Sequence, residues 1–384
     1  MNEAIYTDQF SRDFLSQTHF LDFLHDTRER SGWTRQRAKD LSVLALDEDA
    51  PVTQLLRKQY ELTEQTDLLD DTIQNTGLML CADEQVTPIR SCAIKTILER
   101  ARINGNALSR VSKPQLASIL NYCLSVASGN ALLWYAEGKI SAVHAGDEKD
   151  YAVLEIPELF RMTVDYLAEH YPSYEFVGGT FDHSTVTALW ELRDEPALVQ
   201  TYFDALTRRG LLNGKLTTVR PVLRLTTSNT GISGANLYPM LFIGRAGNQI
   251  PLGTPLRVEH KNGATLEQFQ ENLERLYSQY DKGLAALTAL MDIEIGYPAN
   301  ALLGVAKELG LPKRLALELA DNTRTRCGDA PMSAHSLYYE LCEAIFLLTR
   351  DGATGTKIAQ MEEVVARALR VDWTRYDLPG DLNW

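Results

Sequence analysis

The sequence predicts an α+β fold in which mainly antiparallel sheets are flanked by helices. Two observations predict this class. Apolar residues recur at helical spacing through much of the first 72 residues and again after residue 264. Between these regions, short strand-like runs are separated by Gly and Asn turns. Because such turns join antiparallel neighbours, we expect 130–145, 174–192 and 217–261 to form one or two sheets.

Length and composition predict a soluble cytoplasmic protein with three regions. A chain of 384 residues with 45% hydrophobic content exceeds the usual size of one domain. We divide it into an acidic helical region (1–72), an α+β core (73–263) and a helical region (264–384). The five cysteines include no Cys-x-x-Cys pair, which favours reduced thiols. No apolar run is long enough to span a bilayer, and we expect neither a cofactor nor a metal site.

The N-terminal region, 1–72, is expected to form helices with acidic faces, interrupted by the breaker Ser31-Gly32. Its many apolar positions, such as Phe10, Phe14 and Leu24, favour packing against the core. Binding of a protein partner through the acidic faces remains the alternative.

The next segments alternate between strand and helix signals. Ser112 followed by Pro114 predicts a helix cap, and Glu137-Gly138-Lys139 predicts a hairpin turn. The expected strands are 77–82, 131–136, 140–145, 174–181 and 185–192. The expected helices are 91–101, the helix after Ser112, 156–170 and 196–207.

A single long helix is expected from Thr265 to Met291. Thr265 and Gln268 form a capping-box signature, and an apolar stripe follows at spacings of three and four. We expect this stripe to pack against its own chain, with a homo-oligomer seam as the alternative. Further helices are expected at 299–309, 312–322, 333–349 and 356–369.

The stretch from Ala205 to Lys261 is basic in an acidic chain of net charge −13. Glu259 is its only carboxylate. Its basic residues are Arg208, Arg209, Lys215, Arg220, Arg224, Arg245, Arg257 and Lys261. The stretch is also predicted to contain strands over 217–227, 236–243 and 256–261.

In the strand 217–227, the odd positions are apolar and Arg220 and Arg224 share the even side. Two-residue periodicity therefore places both guanidiniums on one face, about 13 Å apart. Arg257 and Lys261 likewise share a face of the last strand. Pro221 predicts an edge strand or a position whose missing N–H is directed away from a neighbour. We expect an outward basic face that binds phosphates or carboxylates, or a face that the acidic helices cover.

The candidate site for a polyanion consists of seven residues. Tyr238 and His260 are included because they could stack on bases or hydrogen-bond to them. The candidates are Arg220, Arg224, Tyr238, Arg245, Arg257, His260 and Lys261. The loop Gly231–Asn236 either presents amides to an anion or is a plain interstrand turn.

No catalytic motif is recognised. Asp182, His183 and Ser184 are adjacent in a predicted turn, whereas the side chains of a triad must converge. The basic stretch also lacks a carboxylate cluster that could hold a metal.

Two runs, IKTILERARINGNALSRVSKPQLASILNYCL and LLWYAEGKISAVHAGDEKDYAVLEIPELF, resemble the uncharacterised phage and plasmid proteins grouped as domain of unknown function 932. Lys139, Tyr151, Leu154 and Glu155 occupy places comparable to those of the family pattern. The resemblance is specific over about 94–160. It implies a mobile-element origin, hence a host-cell cytoplasm, and no established activity.

Three function classes follow in order of preference. The first is a non-enzymatic phage or plasmid accessory protein that binds nucleic acid, such as DNA, or another polyanion on the basic sheet. The second is a protein-interaction factor with an anti-defence or assembly role on a host or phage protein. A hydrolase or nuclease is the third.

Overall fold

A computed structural model gives the three-dimensional structure of the chain. It describes residues 4–47, 50–83, 85–147, 149–193, 196–211, 219–244, 248–261, 263–328, 330–353 and 355–384. Within these ranges the fold is α+β, as the sequence predicts, and the strands pair antiparallel within their sheets.

The described strands and helices follow one another in mixed order along the chain. The strands are β1 (Ser11–Phe14), β2 (Ser31–Arg37), β3 (Ser42–Ala45), β4 (Leu78–Ala82), β5 (Gln85–Pro88), β6 (Asn130–Ala136), β7 (Lys139–Ala145), β8 (Tyr174–Asp182), β9 (Val186–Leu192), β10 (Val219–Thr227), β11 (Ala235–Ile243), β12 (Asn248–Pro251), β13 (Leu256–Val258), β14 (Glu294–Ile295) and β15 (Met332–Ser333). The helices are α1 (Gln17–Glu29), α2 (Pro51–Leu62), α3 (Thr66–Asn75), α4 (Ala93–Arg100), α5 (Lys113–Ser125), α6 (Ile156–His170), α7 (Pro196–Arg208), α8 (Leu266–Glu274), α9 (Leu276–Ala289), α10 (Pro298–Glu308), α11 (Lys313–Cys327), α12 (Ala334–Arg350) and α13 (Gly355–Ala366).

The main sheet has seven strands in the order β1-β8-β9-β10-β11-β12, with β13 also paired to β11. It unites the predicted segments 174–192 and 217–261. The hairpin β6-β7 belongs instead to a three-stranded sheet with β2, and two smaller sheets, β3-β4-β5 and β14-β15, complete the described pairing. The three predicted segments therefore lie in two antiparallel sheets, as expected. β2, which completes the sheet of β6 and β7, lies about 100 residues earlier in the chain, and local sequence patterns do not link such distant segments.

Residues 4–72 contain the predicted helices together with three strands. β1 lies against β8, with Ser11 opposite Asp182, and β2 lies against β6, with Trp33 opposite Trp134. β3 lies against β4, so the N-terminal region contributes one strand to each of three sheets and, contrary to expectation, is not helical throughout. The proposed division of the chain into three regions remains a prediction.

Two large hydrophobic cores hold most of these elements. The larger core joins α1, one face of the main sheet and the C-terminal helices, and it includes the fully buried Phe20, Trp190, Leu223, Leu287 and Trp373. The second core lies among the smaller sheets, α4 and α5. The hairpin β6-β7 contributes Leu133 and Val143 to this second core. His144, near the end of β7, contacts the Asn229 carbonyl, which follows β10 of the main sheet.

The predicted helix from Thr265 to Met291 is two helices, and the expectation of one continuous helix is wrong. α8 ends before Arg275 and α9 begins after it, and a 3-10 turn replaces the last predicted turn. The capping box of Thr265 and Gln268 is confirmed. The apolar stripe is buried within its own chain across the break, as expected, and the Tyr280 hydroxyl donates to the carbonyl oxygen of Val222.

None of the helices in the described ranges is both long enough and apolar enough to cross a membrane.

We expect Gly283→Ala to destabilise the protein although alanine is the better helix former. A Cβ at this position would overlap the carbonyl oxygen of Leu252. Helix propensity favours alanine by about 1 kcal/mol, but overpacking costs about 1–3 kcal/mol. Chemical denaturation of the variant would measure the net loss.

The matched control is Gly355→Ala, at the start of α13, where no atom lies within 4 Å of the added Cβ. If Gly283→Ala proves at least as stable as this control, the close approach of α9 to Leu252 is refuted.

Candidate functional site

The strand β10 has the predicted alternation of faces, but both of its faces are covered. Val219, Leu223 and Leu225 lie in the larger core. On the opposite face Val222 is fully buried, and α13 contacts this face through Glu362. The expectation that the arginines point outward together is therefore wrong for Arg224. Arg224 agrees with the alternative expectation, in which a helix of the same chain covers the basic face with its carboxylates.

Arg224 forms a buried ion pair with Glu362. Their side chains are 7% and 0% exposed. The guanidinium also lies 4.2 Å from the centre of the Tyr238 ring. Burial opposes the charged form, but the nearby Glu362 carboxylate raises the pKa of Arg224. The pair thus holds α13 on the sheet.

The other predicted cations have carboxylate partners too. Arg220 donates to Glu191 at 2.8 Å, and Arg257 donates to Glu363 at 2.6 Å. Lys261 is 68% exposed and lies 3.6 Å from Glu259. Arg245 lies outside the described residues. Of the four described cations, only Lys261 extends mainly into solvent.

Pro221 does not mark an edge strand, because β10 lies between β9 and β11. The pairing with β9 begins at Val222, one residue further on. Pro221 thus has a register partner only on β11, namely Leu241. This position agrees with the other expectation, that the missing N–H would face away from a neighbour.

A polar cavity of about 500 Å³ lies where the main sheet, the hairpin β6-β7 and α13 meet. This volume falls in the usual range of small-molecule sites, about 300–1,000 Å³. Four of the predicted residues line it, namely Tyr238, Arg257, His260 and Lys261. Arg220 and Arg224 are not among its described lining residues.

Three parallel rings form one wall of the polar cavity. The rings of His144 and Tyr151 are 3.9 Å apart and inclined by 8°, and the rings of Tyr151 and His260 are 5.1 Å apart and inclined by 1°. We call His144, Tyr151 and His260 the ring stack. The Asn229 carbonyl accepts hydrogen bonds from His144 Nε2 at 2.8 Å and from the Tyr151 hydroxyl at 3.3 Å. These bonds fix two of the three rings.

His260 presents a hydrogen-bond acceptor that has no partner. Its Nδ1 donates to the Ala152 carbonyl at 3.0 Å, so the neutral ring keeps its lone pair on Nε2. Nε2 is buried and has no hydrogen-bond partner among the described residues. Burial also lowers the pKa of His260, which keeps the ring an acceptor at neutral pH. A buried acceptor of this kind is stabilised when a donor reaches it.

The loop Gly231–Asn236 also lines the polar cavity, together with Arg257. Gly234 is required by packing, because a Cβ there would lie 2.5 Å from the carbonyl oxygen of Val258. Close packing alone therefore explains the glycine at position 234. Anion binding by this loop stays a prediction.

The charged groups of the cavity wall are mixed. Glu99, Asp150, Glu259 and Glu363 supply four carboxylates, and Arg257 and Lys261 supply two cations. Such a wall does not favour a polyanion, because its field is not positive. It suits a ligand that has both donors and acceptors.

Several lining residues were missed by the sequence reasoning. His144 stands at the end of a strand in another sheet, and Tyr151 entered only through the family resemblance. Glu363 belongs to the adjacent pair Glu362-Glu363 in an otherwise mostly apolar helix. That pair was the one available signal, since two neighbouring carboxylates on an apolar helix need buried partners.

Asp182, His183 and Ser184 do not form a triad. The Asp182 carboxylate accepts from the backbone N–H groups of Ser184 and Thr185 at 2.6 Å and 2.8 Å. His183 Nε2 lies 3.1 Å from the Thr7 carbonyl. The segment is the turn between β8 and β9 that the sequence predicts.

Within the described part of the chain, no cluster of three or more His, Cys, Asp or Glu side chains could hold a metal ion. Comparisons with protein-family models, with curated proteins and with solved structures find no match. The resemblance to the phage and plasmid family remains a prediction.

We expect Glu362→Leu alone to destabilise the protein strongly, because it leaves the Arg224 charge buried without a counterion. Breaking such a pair costs about 3–5 kcal/mol, whereas replacing both members by apolar residues is often neutral or stabilising. The double variant Arg224→Met/Glu362→Leu should therefore recover most of the loss. Urea denaturation of the two variants measures the difference.

Glu318→Leu serves as the control, since Glu318 pairs with the half-exposed Arg350. Loss of an exposed pair should cost no more than about 1 kcal/mol. Equal effects of Glu362→Leu and Glu318→Leu would contradict the buried pair.

We also expect the free energy of unfolding to fall as the pH drops from about 6.5 toward 4. Burial lowers the pKa of His144 to about 4, of His335 to about 4 and of His183 to about 3. In this window the unfolded chain binds protons that the folded chain does not, so each such group removes up to about 1.4 kcal/mol per pH unit. The loss is absent above the unfolded pKa of about 6.5.

Urea titrations between pH 4 and 7 measure this slope. His144→Gln should flatten it, while His25→Gln should not, because the His25 side chain is 70% exposed. A slope that both variants share with the wild type would refute the role of His144.

Proposed function

We propose that this protein binds a small polar molecule in the polar cavity. The single observation that carries the proposal is the wall of this cavity, in which carboxylates and cations stand beside the ring of His260. The volume of about 500 Å³ supports a compact molecule.

The mixed charge of the cavity wall restricts the chemical class of ligand that fits it. Glu259 and Asp150 are acceptors for ligand donors, and Arg257 and Lys261 are donors for ligand acceptors. We therefore propose a ligand that carries both kinds of group. A phage or plasmid origin, which the family resemblance implies, is compatible with this function and is itself a proposal.

The geometry favours this function over a polyanion on the basic sheet. Three of the four described arginine and lysine candidates are already paired with Glu191, Glu362 or Glu363. A nucleic-acid strand would have to break these pairs, and at Arg224 the broken pair is buried. The paired carboxylates would also repel the phosphates.

Equilibrium dialysis against a cell extract of compounds below 1 kDa tests the proposal for a ligand of any identity. The wild type should retain at least one compound, detected by mass spectrometry. Ala359→Trp should lose most of this retention, because Ala359 lies on α13 and lines the cavity, so that the indole takes up space that the ligand needs. Lys357→Trp, at an exposed position of the same helix, should behave as the wild type.

Retention of the same compounds by Ala359→Trp would refute the site. A salt titration with a single-stranded oligonucleotide tests the competing function. If Lys261 alone contacts phosphate, the log-log slope is about −0.7 at most, whereas engagement of four cations gives about −2.8. The steeper slope would overturn the proposed function in favour of the polyanion surface.

A further inference from the structure

Asn236, Tyr238 and Arg257 form a pre-organised cradle on two neighbouring strands. Asn236 and Arg257 stand opposite each other in the pairing of β11 and β13. Arg257 Nε donates to Asn236 Oδ1 at 3.1 Å, and Asn236 Nδ2 donates to the Tyr238 hydroxyl oxygen at 3.3 Å. Asn236 and Tyr238 are each 3% exposed. The three side chains therefore hold one another in place.

The cradle holds one carboxylate, that of Glu363. The Tyr238 hydroxyl donates to Oε1 at 2.7 Å, and Arg257 Nη2 donates to Oε2 at 2.6 Å. Each carboxylate oxygen thus has its own donor. The carboxylate of another molecule can make the same two hydrogen bonds, because the donors recognise the carboxylate group and not the rest of the molecule to which it is attached.

Glu363 can leave the cradle without undocking α13. Its side chain is 28% exposed, so a rotamer change carries it toward solvent. The helix stays anchored by Met361, Glu362 and Val365, which are 8%, 1% and 0% exposed. Asn236 still holds Arg257 when Glu363 has moved. The cradle thus survives the loss of its occupant.

We propose that the cradle is a carboxylate subsite of the polar cavity, which Glu363 occupies until the carboxylate of a ligand replaces it. This inference rests on the proposed function and specifies the ligand as a small molecule with a carboxylate and a donor group. One carboxylate exchanges for another, so the charge against Arg257 is unchanged. Because Glu363 is tethered beside the cradle, it competes with the ligand and weakens the apparent affinity.

Formate, the smallest carboxylate, tests the cradle directly. Wild type and Glu363→Ala are melted in increasing sodium formate, with sodium chloride at equal ionic strength as the reference. Formate should raise the melting temperature of Glu363→Ala in a saturable manner. If Glu363 fills the cradle in nine of ten wild-type molecules, the half-saturating concentration should be about tenfold lower in the variant.

Two controls separate the cradle from general salt effects. Glu318→Ala removes a carboxylate of similar exposure, which pairs with Arg350 and has no cradle, so its formate response should equal that of the wild type. Glu363→Ala/Arg257→Met should lose the response. If Glu363→Ala fails to fold, Glu363→Gln replaces it in the comparison, because its neutral amide removes the nearer of the two carboxylates from Arg257 and leaves only Glu259 at 4.0 Å.

Equal formate responses of Glu363→Ala and Glu318→Ala overturn the subsite. The two proposals also fail separately. Retention of a compound in dialysis without a formate response refutes the cradle alone. A formate response without any retained compound refutes the proposed function alone.

Discussion

The buried ion pair of Arg224 and Glu362 determines how the C-terminal helices meet the main sheet. A guanidinium in the middle of a nine-residue strand would be costly if it were covered by apolar groups alone. Glu362 compensates that charge only where α13 crosses β10 and β11. The pair therefore fixes the position of the helix, and the adjacent Glu363 reaches the cradle as a consequence. The polar cavity is the space that remains beside this crossing.

The same pair explains why β10 and β11 are buried on both faces. One face packs in the larger core, as its alternation of apolar residues predicts. The other face carries a smaller apolar cluster of Val222, Tyr238, Met240 and Phe242, next to the arginines. β10 thus has one apolar face and one face on which apolar residues alternate with arginines, and these arginines need carboxylate partners. Its basic residues specify where an acidic helix docks.

Local patterns predicted the elements well and their partners poorly. The capping box at Thr265 and the hairpin at Gly138 depend on residues a few positions apart, so the sequence alone predicts them. The pairing of β1 with β8 joins segments about 170 residues apart along the chain, and no local spacing encodes it. The same limit applies to the site. Charge clustering found Arg257 and Lys261, but the carboxylates that pair with Arg220, Arg224 and Arg257 come from β9 and α13.

The ring stack shows how the site depends on the packing of the two cores. His144 ends a hairpin of the second core, whereas the Asn229 carbonyl that it contacts lies at the end of β10 in the main sheet. Tyr151 and His260 continue the stack toward β13. Flat rings and directed hydrogen bonds, in place of interlocking aliphatic side chains, join the two sheets here. Such a junction fixes orientation without filling the space beside it, and this is why a polar cavity persists between two well-packed cores.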